Sequence, residues 1–140
     1  MADSPPNQQQ LRTLIVDDEP PARERLRRLL DGIQDVAVVG EAANGRDALE
    51  LCARLQPDVV LLDIRMPGMD GIEAARHLNA LDEPPAVIFT TAYDEYALEA
   101  FETQAVGYLL KPVRLEKLAR AVRHAARIAG PQLLRLAEQS

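Results

Sequence analysis

Three short apolar runs in this chain end in residues able to handle a metal or a phosphate, and a fourth ends in a cation. Leu14-Ile15-Val16 precedes Asp17-Asp18, and Val59-Val60-Leu61-Leu62 precedes Asp63. Val87-Ile88-Phe89 precedes Thr90-Thr91, and Tyr108-Leu109-Leu110 precedes Lys111-Pro112. Short uninterrupted apolar runs are expected of strands covered on both faces. Parallel strands end on one edge of their sheet, and in an open α/β sheet that edge is where ligands bind. The pattern therefore predicts one small site where three carboxylates, a hydroxyl and an ammonium converge.

Helical spacing fills the gaps between the runs. A strand over 11–16 is followed by a helix over 21–33, with Ala22, Leu26, Leu29, Leu30 and Ile33 on one face. Pro20 and Pro21 suit its start and Gly32 its end. A second strand spans 36–39. The next helix opens at Asn44 or Gly45, places Ala48, Leu49, Cys52 and Leu55 on one side, and stops at Gln56-Pro57. A central strand over 59–62, a turn-rich loop over 66–71 and a helix over 72–81 come next. Then follow a strand over 86–90, a helix over 93–103, a strand over 106–110 and a helix over 115–128. Leu115, Leu118, Ala119, Val122 and Ala126 are the inward set of that last helix. Five β–α units imply a parallel sheet with helices on both faces and right-handed crossovers. Gly130-Pro131 is expected to break the last helix.

At 140 residues the chain reads as one domain, able to bury roughly 70% of its unfolded surface. Residues 1–10 are Pro- and Gln-rich and expected to be a disordered tail. Residues 11–129 form the domain, and 130–140 are expected to begin a linker. The lone Cys52, among leucines, reads as a small core residue. One cysteine fits a reducing cytosol, so a cytoplasmic location is expected. The net charge of −6 argues against this segment binding nucleic acid by itself. No apolar run approaches the roughly 20 residues that span a bilayer, and the first residues lack the features of a signal peptide.

Four motifs carry a family resemblance: Ile15-Val16-Asp17-Asp18-Glu19, the run Leu62-Asp63-Ile64-Arg65-Met66-Pro67-Gly68-Met69-Asp70-Gly71, Thr91-Ala92 and Lys111-Pro112. In that order, each at the end of an apolar run, they resemble the receiver domain of a bacterial two-component response regulator, over about residues 11–128. The resemblance implies a doubly wound, flavodoxin-like (βα)5 fold with strand order 2-1-3-4-5. Three crowded carboxylates raise each other's pKa values and tolerate one another around a divalent cation. Mg2+ fits, because it takes hard oxygen ligands and needs only one or two carboxylates. By the resemblance, Asp17, Asp18, Asp63 and the backbone carbonyl of Arg65 hold the metal. Asp63 also accepts a phosphoryl group from a phosphohistidine of a sensor histidine kinase. Lys111 and Thr91 attend the phosphoryl oxygens, Pro112 follows a cis peptide bond, and Thr91 and Tyr108 form the switch. The implied readout is the surface of the fourth helix, fifth strand and fifth helix. Self-phosphorylation and self-dephosphorylation are implied, not turnover of a separate substrate.

Each residue also has a plainer reading. Asp17 and Asp18 could cap the first helix, and Asp63 could end a strand at a turn. Capping does not explain Thr91 and Lys111 at matching strand ends. Tyr108 could simply pack. His77 and His124 fall within helices as solvated or packed side chains, and Met66 and Met69 read as apolar fillers. Arg65 and Tyr93 stand two residues after Asp63 and Thr91, positions that by the resemblance shape water access to the phosphoryl group. Two large side chains there imply slow self-dephosphorylation. Asp94, Glu95, Glu99 and Glu102 give the helix over 93–103 an acidic character, against Arg114, Lys117, Arg120, Arg123 and Arg127 on the last helix. These are two solvated faces, or the two halves of a homodimer formed on phosphorylation.

The segments 18–26 and 91–101 resemble receivers of the LytR/AlgR class, which normally precede a LytTR DNA-binding domain. That implies a transcription regulator touching DNA only through an output domain. A free-standing receiver in a phosphorelay and a receiver that signals without phosphate are alternatives within the family. An aspartate-nucleophile phosphatase would carry a second Asp two residues after the nucleophile, where this chain has Arg65. A flavodoxin-like cofactor binder would need Gly, Ser or Thr in the first loop, which is acidic here.

Overall fold

The strand Val59–Leu62 is apolar at every position because both of its faces are covered, and all four side chains are inaccessible to solvent. This β3 lies mid-sheet among β1 (Leu11–Val16), β2 (Val36–Ala42), β4 (Ala86–Thr91) and β5 (Gly107–Leu110). Between and after them run α1 (Pro20–Asp31), α2 (Gly45–Leu55), α3 (Gly71–Asn79), α4 (Ala97–Glu102) and α5 (Leu115–Gln139). Every strand pair is parallel and the order is β2-β1-β3-β4-β5, as the family resemblance implied. The computed structural model describes residues 10–139, and side chains through 128. The tail expected over 1–10 falls outside the described residues except for Gln10.

Alternation along the strands divides the core in two. Leu14, Val16, Val60, Leu62, Val87 and Phe89 pack against Ala48 and Cys52 of α2 and Ala74, Ala75 and Leu78 of α3. Leu11, Ile15, Val59, Leu61 and Ile88 pack against Leu26 and Leu30 of α1 and Leu118, Val122 and Ala125 of α5. Cys52 is buried as expected, and burial pushes its thiol up to about 11. The helix starts have local causes. Asn44 accepts a hydrogen bond from the Asp47 N–H at 2.8 Å, and Asp70 accepts one from the Glu73 N–H at 2.9 Å. These side chains satisfy otherwise orphaned first-turn donors. Pro20 and Pro21 open α1 without needing a side-chain cap.

Three expectations are corrected. The helix expected over 93–103 is only Ala97–Glu102. Residues 94–96 form a bend and a turn, because the backbone of Tyr93 is engaged by Thr91 and Tyr108 instead. Gly130-Pro131 does not break the last helix, which continues to Gln139. The fixed φ of proline suits a helix, and the cost is one backbone N–H and a local clash, set against good helix formers on both sides. Leu115 is 43% exposed rather than inward, and Ala125 takes a place in the core beside Leu118 and Val122.

Candidate functional site

Sheet register brings the chemistry together. Val16 of β1 pairs with Leu62 of β3, so the next residues, Asp17 and Asp63, emerge side by side. Backbone bonds fix both, from the Asp63 N–H to the Val16 carbonyl at 2.9 Å and from the Asp17 N–H to the Ala42 carbonyl at 3.1 Å. At the other end of the sheet edge, Thr91 pairs with Leu110. The Lys111 N–H donates to the Thr91 carbonyl at 2.8 Å. The Lys111–Pro112 peptide is cis. The Lys111 ammonium donates to Asp17 Oδ2 at 2.7 Å and stands 3.7 Å from Asp63 Oδ2.

Asp17, Asp18 and Asp63 each offer an oxygen within 4.8 Å of the others. Asp17 and Asp63 are buried and Asp18 is half-buried. Burial pushes the Asp63 carboxyl up to about 6, and the charges of Asp17 and Asp18 add to the rise. The Lys111 charge and the Ile64 N–H, which donates to Asp63 Oδ1 at 2.9 Å, pull the other way. Burial alone would lower the Lys111 ammonium, yet its bond to Asp17 and the charges of Asp63, Asp17 and Glu19 raise it overall. Such a cluster, anionic and made of hard oxygens, fits a small divalent cation. A recess of about 420 Å3 beside it is lined by Ile64, Arg65, Met66, Gly68, Asp70 and Tyr96 among others, but by none of the three carboxylates. The three carboxylates therefore stand at the sheet edge, not in that recess.

A second set surrounds Tyr93. Its N–H donates to Thr91 Oγ1 at 3.2 Å, and its carbonyl accepts from the Tyr108 hydroxyl. Thr91 is buried, Tyr108 is half-buried, and the Tyr108 ring tilts against Phe89 with centroids 6.4 Å apart. Burial raises the Tyr108 hydroxyl, with the charges of Asp94 and Glu95 assisting against a bond from the Tyr96 backbone. The Arg65 side chain is exposed and lies over the Tyr93 ring. Thr90, the neighbour of Thr91, is fully buried, and among the described residues its hydroxyl finds no hydrogen-bond partner. His77 and His124 are exposed on α3 and α5. Asp94 and Glu95 precede α4 while Glu99 and Glu102 lie on it, so the acidic group is split between loop and helix.

Residues 13–123 match the family model described as the response regulator receiver domain. The chain belongs to the response regulator receiver family. It is 55% identical over 127 residues to the positive alginate biosynthesis regulatory protein of Pseudomonas aeruginosa, covering 90% of this chain and 51% of that protein. It is 43% identical over 113 residues to the sensory transduction protein LytT of Bacillus cereus, covering 81% of this chain and 46% of LytT. Among solved structures, the receiver domain of the response regulator AraT from Geobacillus stearothermophilus superposes with a TM-score of 0.77 at 34% identity, covering 88% of this chain and 98% of that one. The LytR/AlgR resemblance is thus supported by relatives as well as motifs. The receiver spans about half the length of the curated relatives it matches. Among the described residues, no helix is long and apolar enough to cross a membrane.

A glycine at the site escaped the sequence reading. Gly71, taken there as a loop glycine, is the first residue of α3, and its N–H donates to the Ile64 carbonyl at 2.7 Å. A Cβ at 71 would lie 2.0 Å from the Asp63 carbonyl oxygen. Only the spacing of a glycine eight residues after the aspartate hinted at this, and spacing alone does not distinguish a close approach from a turn.

Proposed function

We propose that Asp63 accepts a phosphoryl group from a sensor histidine kinase and that the receiver passes this signal to a transcriptional output. The observation that carries the reading is the convergence of Asp17, Asp18 and the Lys111 ammonium on Asp63. A carboxylate oxygen of Asp63 attacks the phosphorus of a phosphohistidine. The phosphorus–nitrogen bond breaks, the imidazole leaves and takes up a proton, and an aspartyl phosphate remains. Asp17, Asp18, Asp63 and the Arg65 carbonyl would hold Mg2+, which when bound supplies positive charge beside the phosphoryl oxygens. Lys111 supplies the second positive charge. The Thr91 hydroxyl, now accepting from Tyr93, would turn to donate to a phosphoryl oxygen.

That turn has a built-in consequence. Releasing the Tyr93 N–H would loosen the residue whose own carbonyl holds the Tyr108 hydroxyl. Phosphorylation would then shift a pre-existing balance between two arrangements of α4, β5 and α5. Leu98 and Phe101 on α4 are 72% and 77% exposed, and Arg120 and Arg123 on α5 are exposed too. A two-fold pairing of this face, acidic against basic, is the proposed oligomeric response. Arg65 and Tyr93 would shield the phosphoryl group from water. The transcriptional output rests on the regulatory relatives, and DNA contact would be made by a LytTR-type domain. The location would be cytoplasmic, where a phosphorylated kinase partner would be met.

The test is incubation with acetyl phosphate and Mg2+ followed by intact mass. One added phosphoryl group is expected on the native chain, and none with Asp63→Asn or with a chelator present. Continuous consumption of the donor without accumulation would identify a phosphatase and overturn the reading.

A further inference from the structure

The helix α1 carries two arginines that reach out to opposite sides of the site. Residues two apart on a helix point about 200° away from each other. Leu26 and Leu30 face the core, so Arg23 and Arg25 flank the buried stripe on its two sides. Arg23 donates from Nη1 to the Asp17 backbone carbonyl at 2.6 Å and from Nε to Glu41 Oε1 at 3.1 Å. Arg27 holds the other oxygen of Glu41 at 2.7 Å. Arg25 donates from Nη2 to the Val113 carbonyl at 2.7 Å. Val113 is buried two residues beyond Lys111. Neither arginine touches a carboxylate of the acidic cluster or the Lys111 ammonium through its side chain in these bonds.

We propose that Arg23 and Arg25 are positioning residues: one fixes the end of β1 that carries Asp17, and the other fixes the loop from which Lys111 reaches in. The proposal rests on the phosphoacceptor reading above. The bonds they make are charge-assisted and aimed at backbone carbonyls, which suits them to hold main chain rather than to bind a ligand. Arg23 is the more restrained, being only 20% exposed and gripped by Glu41 as well. Helix α1 thereby ties the metal-binding side of the edge to the phosphate-binding side, and a shift of α1 would disturb both.

The two arms predict different losses. Mn2+ serves as the probe of the acidic cluster, with free ion followed by electron paramagnetic resonance, independently of any phosphoryl transfer. Arg23→Gln is expected to weaken Mn2+ binding about tenfold, as removal of an outer-shell partner typically does. Arg23→Lys should recover part of the loss. A nearby cation acting by charge alone would do the reverse, since its removal would favour a divalent ion. Unchanged or tighter Mn2+ binding in Arg23→Gln therefore overturns the Arg23 arm. Arg25→Gln should leave Mn2+ affinity as it was and slow phosphorylation by acetyl phosphate at saturating Mg2+ several-fold, with Arg25→Lys closer to the native rate. An unchanged rate in Arg25→Gln overturns that arm. Should Arg23→Gln fail to fold by circular dichroism, Glu41→Ala releases the Nε side of the same guanidinium. It is expected to weaken Mn2+ binding in the native background and much less in Arg23→Lys, and equal effects in both would overturn the proposal. A native chain that neither binds Mn2+ nor takes a phosphoryl group would sink the phosphoacceptor reading itself, whereas a working native chain with indifferent arginine variants sinks only this inference.

Discussion

The guanidinium carbon of Arg65 lies 4.8 Å from the centroid of the Tyr93 ring. These residues stand two positions beyond Asp63 and Thr91 on separate loops, and the contact joins the two loops. A cation over an exposed aromatic face is worth about 0.5–1 kcal/mol. If the pair screens the phosphoryl group as a unit, Arg65→Asn and Tyr93→Glu should each shorten the lifetime of phospho-Asp63. The double variant should be faster than either single one, but by less than the product of the two effects. The shortfall expected from the stacking energy is a factor of about 2–5. Lifetimes followed by intact mass after removal of the donor check this, and fully multiplicative effects would show that the side chains act separately.

The raised carboxyl of Asp63 makes stability depend on pH in a defined direction. Its value in the folded protein is about 6 against 3.8 for the free group, first through burial and then through the Asp17 charge. The folded state binds that proton more tightly than the unfolded chain does. Without divalent ions, Asp63 therefore lowers stability as pH rises from about 4 through about 6, by roughly 2–3 kcal/mol in all. Asp63→Asn removes this charge while keeping the shape. In a chelator the variant should melt several degrees above the native chain at neutral pH, at about 3 °C per kcal/mol, and the gap should close below about pH 4. Differential scanning calorimetry at both pH values measures it. A gap independent of pH would mean that ionised Asp63 is not what destabilises the native chain.

Most of the fold and the makeup of the edge are legible in the sequence, because both rest on strong local signals. The apolar runs at β1, β3 and β4 can be satisfied only by strands covered on two sides, and their last residues then have no choice of edge. What escaped depends on contacts between distant segments. The sequence 93–96 has the spacing of a helix, but its backbone is held by Thr91 and Tyr108, so tertiary bonds override the periodicity. Gly71 looks like any turn glycine until the Asp63 carbonyl is placed against it. Nothing in the local sequence of α1 announces that Arg23 and Arg25 will each meet a backbone carbonyl. Gly130-Pro131 misled in the opposite way, as a local breaking signal inside a helix that continues.

The charged faces of α4 and α5 give a prediction about assembly. Glu99 on α4 and Arg120 and Arg123 on α5 are exposed, so they are available to a second copy. A symmetric contact uses each pair twice, while isolated exposed pairs contribute little. Sedimentation velocity after treatment with acetyl phosphate and Mg2+ should show dimer for the native chain and less of it for Arg120→Glu with Arg123→Glu. Adding Glu99→Arg to that variant should restore part of the association, and added salt should weaken the native dimer. A monomer under all these conditions would leave the two faces merely solvated.

Gly71 offers the most direct link between packing and the Asp63 carboxylate. A methyl group there would sit 2.0 Å from the Asp63 carbonyl oxygen and 2.8 Å from the Ile64 Cα. Both are backbone atoms, so no side-chain rotation can relieve the clash. Either α3 moves away, breaking the bond from the Gly71 N–H to the Ile64 carbonyl, or the end of β3 moves and takes Asp63 with it. Forced overpacking of this kind costs about 1–3 kcal/mol or more. Gly71→Ala is expected to lower the urea midpoint and also to slow phosphorylation of the folded fraction by acetyl phosphate. Gly68 supplies the contrast: nothing lies within 4 Å of a Cβ there, and the only strain comes from its φ of 77°. Gly68→Asn, a residue that tolerates this conformation, should therefore leave both stability and rate close to native. If Gly71→Ala folds with native stability and reacts at the native rate, the close approach of α3 does not set the position of Asp63.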